Sequence, residues 1–125
     1  ITISTTGNSH DFGELTTIGN NAGGACSATR MVIGGRLDPN SPIDFLTIAT
    51  TGNAITFGDM TVPRSSFASM SDCVRGIFAG GDGSPAQFSE IDYVNIATTG
   101  DAVDFGDLPY DNQQTAGCSN GHGGL

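Results

Sequence analysis

His10 and His122 are the two histidines of a 125-residue chain with thirteen acidic residues, four basic residues and three cysteines. His10 lies in "GNSHDF" beside Asp11, and His122 in "SNGHGGL". No ligand spacing links either one to another donor, so a metal site would require coincidence in three dimensions. No GxSxG elbow accompanies them, which leaves acyl transfer without support. "GGDGSP" at 80–85 is loosely calcium-like, but it lacks oxygen ligands at alternate positions and a closing glutamate. The three cysteines, Cys26, Cys73 and Cys118, are an odd number with no CxxC spacing, which disfavours a disulfide framework, a zinc site or a redox pair. Cys26 in "GACSATR" and Cys118 in "AGCSNGH" fall at nearly equivalent places, so small buried residues of a recurring strand are expected there. The expectation is that the chain is not an enzyme and has no catalytic residue, no cofactor and no metal.

The remaining candidates are Glu14, Asp59 and Asp107, each directly after a Phe-Gly pair. A glycosidase needs a unique pair of carboxylates flanking one bond. An acid that recurs at one place in a repeat is better read as structural, its carboxylate accepting hydrogen bonds from turn amides.

That recurrence organises the chain. "IDFLTIATTGNAITFGDM" at 43–60 returns as "IDYVNIATTGDAVDFGDL" at 91–108, and a worn copy, "ITISTTGNSHDFGEL", opens the chain at 1–15. The Thr-Gly anchors Gly7, Gly52 and Gly100 are 45 and 48 residues apart, as are Phe12, Phe57 and Phe105. The local signals are for strands: β-branched and aromatic runs without helical period, punctuated by Gly-Asn, Gly-Asp and Phe-Gly-Asp. Strands are predicted at 43–49, 55–60, 66–71 and 74–80, with a tight primed turn near Gly52-Asn53. Phe57, Phe105, Ile48 and Ile96 are expected to be buried between units.

Four short strands in about 45 residues match a β-propeller blade. The fold class is therefore all-β, with about three four-stranded units in an incomplete ring: unit 1 (partial) at 1–42, unit 2 at 43–90 and unit 3 at 91–125. In this reading the glycine-ended strands "RMVIGG" and "RGIFAGG" are innermost, where only glycine lets backbones crowd a channel, and the small-residue strand comes last. The terminal "GHGGL" lacks the apolar triplet of an innermost strand. Because Ile1 already lies inside a repeat and three blades cannot close a ring, the expectation is a piece of a longer protein or a homo-oligomer.

The net charge of −9 would repel a phosphate backbone, so no nucleic-acid partner is expected. No run approaches the roughly 18 apolar residues of a membrane span, so no membrane insertion is expected.

The order of acid-aromatic, second aromatic, Leu or Met, Arg, small residues and a glycine pair resembles the kelch repeat. Phe45 and Tyr93 fall at its tyrosine, and Phe12, Phe57 and Phe105 at its tryptophan. Arg64 falls at its arginine, and Gly34-Gly35 and Gly80-Gly81 near its glycine pair. The chain has no tryptophan, and repeats one and three have no Arg64 equivalent. The phrases "IDYVNIATTGDAVDFGDL", "RGIFAGG" and "CSNGHGGL" are similar to tandem segments of virion proteins of tailed phages infecting cyanobacteria and other aquatic bacteria. That resemblance implies a structural component of a virion, such as a fibre, tail or capsid-surface part. Its partners would be other virion subunits and a host-surface glycan. The alternatives are a carbohydrate-binding or carbohydrate-hydrolysing propeller and a kelch-type protein-interaction module.

Overall fold

The computed structural model describes residues 6–35, 41–83 and 85–119. His122 and the terminal "GHGGL" lie outside the described residues. The fold is all-β, with no helix among the described residues. Strands β1 (Gly23–Cys26), β2 (Arg30–Gly34), β3 (Pro42–Thr47) and β4 (Ile55–Asp59) form one antiparallel sheet in chain order. The second sheet repeats this meander with β5 (Ala68–Ser71), β6 (Arg75–Ala79), β8 (Ala86–Asn95) and β9 (Val103–Asn112), and the two-residue β7 (Asp82–Gly83) pairs onto β8. The two sheets do not close a ring. All four strands predicted between 43 and 80 are present, with ends shifted by two residues at most.

Three expectations are corrected. First, the small-residue strand begins each sheet. β1 and β5 pair with the glycine-ended strands β2 and β6, so the glycine-ended strand is the second of its sheet and not its edge. The two small-residue strands instead lie beside one another, with the Cys26 amide donating to Ser71 Oγ at 3.3 Å. Small side chains are needed there because two sheets converge. A Cβ on Gly23 would come within 2.5 Å of the Phe67 ring, and one on Gly76 within 3.0 Å of Ala25. Second, the glycine pairs are closely approached, as expected, but by a neighbouring segment and not across a channel. A Cβ on Gly35 would overlap the Phe67 ring, and one on Gly81 would lie 2.6 Å from the Ser65 carbonyl oxygen. Gly35 and Gly80 also have left-handed φ values of +78° and +67°. These glycines let the strand turn away, which is the position glycine tolerates best. Third, the connection at Gly52-Asn53 is not a two-residue primed turn. It spans residues 48–54 between β3 and β4, and neither Asn53 nor Asp101 has the positive φ that such a turn demands.

The β1–β2 and β5–β6 hairpins are closed by equivalent side chains 45 residues apart. Ser27 Oγ accepts from the amides of Thr29 and Arg30, and Asp72 Oδ1 accepts from those of Val74 and Arg75. The Arg75 and Val74 amides hold the Asp72 carboxyl below its ordinary range, as hydrogen bonds to the charged form do.

The apolar core lies between the sheets. Val32, Ile43 and Phe57 of the first sheet meet Phe78 and Val94 of the second, together with Ile96 and Ala102 from its loop. Ile48 and Phe105, expected to be buried, are 43% and 54% exposed, whereas their counterparts Ile96 and Phe57 are 0% and 4%. The reason is position. Ile96 and Phe57 face the neighbouring sheet, while Ile48 and Phe105 face outward at the two ends of the pair. Cys26 and Cys118 are also exposed, contrary to expectation, and Cys73 is half-buried. Cys26 stands at the end of β1, where the alternation of the strand turns it out of the sheet interface.

Candidate interaction surface

The most regular device in the molecule joins one repeat to the next. At the second Phe-Gly-Asp, the Phe57 carbonyl accepts from the Gly100 amide at 2.9 Å, and the Asp59 carbonyl accepts from the Ala102 amide at 2.8 Å. The Asp59 amide donates to Asp101 Oδ1 at 3.0 Å. The first copy repeats each bond. Gly52 donates to the Phe12 carbonyl and Ala54 to the Glu14 carbonyl, both at 2.8 Å, while the Glu14 amide donates to Asn53 Oδ1 at 3.1 Å. In both joints the Phe-Gly-Asp/Glu segment is the seat, and the Thr-Gly-Asn/Asp turn of the next repeat is its occupant.

A second set of bonds locks the joint. Thr61 donates to Asp92 through its amide (3.2 Å) and its hydroxyl (2.6 Å), and Thr16 does the same to Asp44 (2.9 and 2.6 Å). Asp44 and Asp92 are fully buried. Asp92 also pairs with the equally buried Arg64, Nη1 to Oδ2 at 3.0 Å. The other end of that guanidinium donates to the Phe78 and Glu90 carbonyls at 3.3 and 3.4 Å. Burying charge is tolerable when it is paired and hydrogen-bonded. Asp92 and the two Nη groups of Arg64 meet that condition, while the buried Arg64 Nε has no partner among the described residues.

These bonds correct the reading of the recurring acids. Glu14 and Asp59 hold the turn with their main-chain groups, and the carboxylates that accept from amides across the joint are those of Asp44, Asp92 and Asp101. Sequence reasoning passed over Asp44 and Asp92. Their signal was an acid fixed between an isoleucine and an aromatic, where a solvent-facing residue would be free to vary.

Glycine is required at the seat for a steric reason. A Cβ on Gly58 would lie 2.2 Å from the Gly100 carbonyl oxygen, and one on Gly13 would lie 2.1 Å from that of Gly52. Gly58→Ala is accordingly expected to cost about 1–3 kcal/mol, the range for overpacking against atoms that cannot retreat. Gly7→Ala, in open space, is expected to be neutral. Urea unfolding of the two variants at low protein concentration checks both.

In each sheet an arginine stacks on one aromatic ring, which meets a second ring edge-on. The Arg30 guanidinium lies 4.7 Å from the Phe45 ring centre, and Phe45 meets Phe57 edge-on at 6.0 Å. Arg75, Tyr93 and Phe105 repeat the arrangement at 5.2 and 5.9 Å. Both stacks suit cation–π and edge-to-face contact. Arg30 Nη1 also reaches the Ala97 and Ile96 carbonyls, at 2.8 and 3.4 Å, in the following unit. A cleft of about 430 Å³ lies beside Arg75, Tyr93 and Asp101, and its equivalent beside Phe45 and Asn53 is about 180 Å³.

Of the other candidates, His10 is exposed. Asp82 of "GGDGSP" exchanges main-chain bonds with Ser65 at 2.8 Å, and Ser84 lies outside the described residues. Among the described residues no three His, Cys, Asp or Glu side chains come together as a metal cluster would. No protein-family model matches the chain, and no curated protein matches it.

Proposed function

We propose that the chain is a structural component of a phage virion, built of kelch-like propeller blades and belonging to a fibre, tail or capsid surface. The observation that carries this reading is the joint made twice with the same groups: the repeats are linked end to end by main-chain bonds, as suits a scaffold. The likeness of "IDYVNIATTGDAVDFGDL" and "RGIFAGG" to tandem segments of tailed-phage virion proteins supplies the context. In this reading the two meanders are successive blades, the partners are other virion subunits, and exposed loops at the Thr-Thr-Gly end meet the host surface.

An antibody against the chain is expected to label intact tailed-phage particles from a lysate that carries this sequence. Label confined to host-cell fractions would sink the reading. Attachment is separated from hydrolysis by incubating the protein with host polysaccharide. Retention without released sugar is expected, and sustained release would favour the carbohydrate-hydrolysing alternative.

A further inference from the structure

We propose that the outer face of β9 is a vacant seat of the same joint, and that it receives the Thr6-Gly7-Asn8 turn of a second copy of this chain. The proposal concerns only how copies meet, so it stands or falls apart from the virion reading.

Four observations define the seat. Phe105-Gly106-Asp107 occupies on β9 the place that Phe57-Gly58-Asp59 occupies on β4. The same register shift sets both, between Ile91 and Asp92 on β8 and between Ile43 and Asp44 on β3, so the Phe105 carbonyl is presented as that of Phe57 is. A Cβ built on Gly106 meets nothing within 4 Å, whereas at Gly13 and Gly58 the same space is filled by a turn carbonyl. Phe105 is more than half exposed, whereas Phe57 is covered. Finally, Arg30 reaches two carbonyls of the following unit, while Arg75 has its tyrosine ring and, among the described residues, no carbonyl partner, beside the wider of the two equivalent clefts.

The occupant is defined by what the two filled seats hold: a glycine amide, then an Asn or Asp side-chain oxygen, then the next residue's amide. Thr6-Gly7-Asn8-Ser9 offers that series, its residues are exposed, and nothing lies within 4 Å of a Cβ at Gly7. Gly7 would donate to the Phe105 carbonyl, Ser9 to the Asp107 carbonyl, and Asn8 Oδ1 would accept from the Asp107 amide. Pro109 stands where Thr16 and Thr61 stand and has neither an amide nor a hydroxyl proton to give. The intermolecular joint therefore lacks the second lock and is reversible. Seat and turn lie on different surfaces, so the contact is head-to-tail.

Sedimentation of the intact chain from micromolar to millimolar concentration tests this. Reversible association that rises with concentration is expected. Gly7→Pro removes the turn's donor and Gly106→Val fills the seat, so each variant alone should stay monomeric. Mixed in equal amounts they should form a dimer and nothing larger, because only one seat and one turn remain intact. Arg75→Ala, an exposed change that leaves the fold in place, should weaken association roughly tenfold through loss of a charged donor. A wild-type chain that stays monomeric at millimolar concentration overturns the proposal, as does association undiminished in Gly7→Pro. A monomeric chain that nevertheless binds a separate Thr-Thr-Gly-Asn hairpin peptide would give the seat to another repeat protein and would equally overturn it.

Discussion

Asp92→Asn is expected to destabilise the protein by about 3–5 kcal/mol, although the replacement has the same shape. The change leaves the Arg64 guanidinium fully buried with no counter-charge, and breaking one side of a buried pair carries a penalty of that size. Thr61 would also lose a charged acceptor for its hydroxyl and amide. The double variant Arg64→Met/Asp92→Leu should recover most of the loss, because it removes both desolvated charges together. Chemical unfolding of the wild type, both single variants and the double variant gives the coupling directly. A loss below about 1 kcal/mol for Asp92→Asn would show that water reaches the pair.

The second large effect separates two phenylalanines that the sequence makes equivalent. Phe57→Ala is expected to cost about 3–5 kcal/mol, the range for emptying a buried aromatic site. Phe105→Ala, at more than half exposure, should cost under about 1 kcal/mol in the monomer. Thermal unfolding at low concentration measures both. Equal losses would mean that the outer face of β9 is covered in the isolated chain.

The contrast shows what the sequence made legible. Strand identity was readable because β-branched and aromatic runs between Gly-Asn and Phe-Gly punctuation leave a short strand few alternatives. Equivalence was readable too, since one phrase at a fixed period places Phe57 and Phe105 on matching strands. Burial was not, because it depends on whether a neighbour follows, and identical phrases cannot report that. Strand order failed for a related reason. A repeat has no intrinsic beginning, so the small-residue strand could be placed first or last until hydrogen bonding tied it to the glycine-ended strand. The joint itself was half visible. Its turn and its glycine were marked, but the bonding was assigned to the carboxylates of Glu14 and Asp59 instead of their main-chain groups. The buried acids Asp44 and Asp92 were hidden within an apolar run.

A joint made from main-chain groups has a consequence for how such a chain can change over generations. Any residue supplies an amide and a carbonyl, so the linkage places few demands on side chains beyond the seat glycine and the buried aspartate with its threonine. Thr50, Thr51, Thr98 and Thr99 line the exposed loops beside the joint, and none of their side chains takes part in it. Substitutions there alter the outward-facing rim and leave the frame as it was. The rim can therefore change without disturbing the frame, whose steric demand at the joint is a short rule, a glycine opposite a carbonyl.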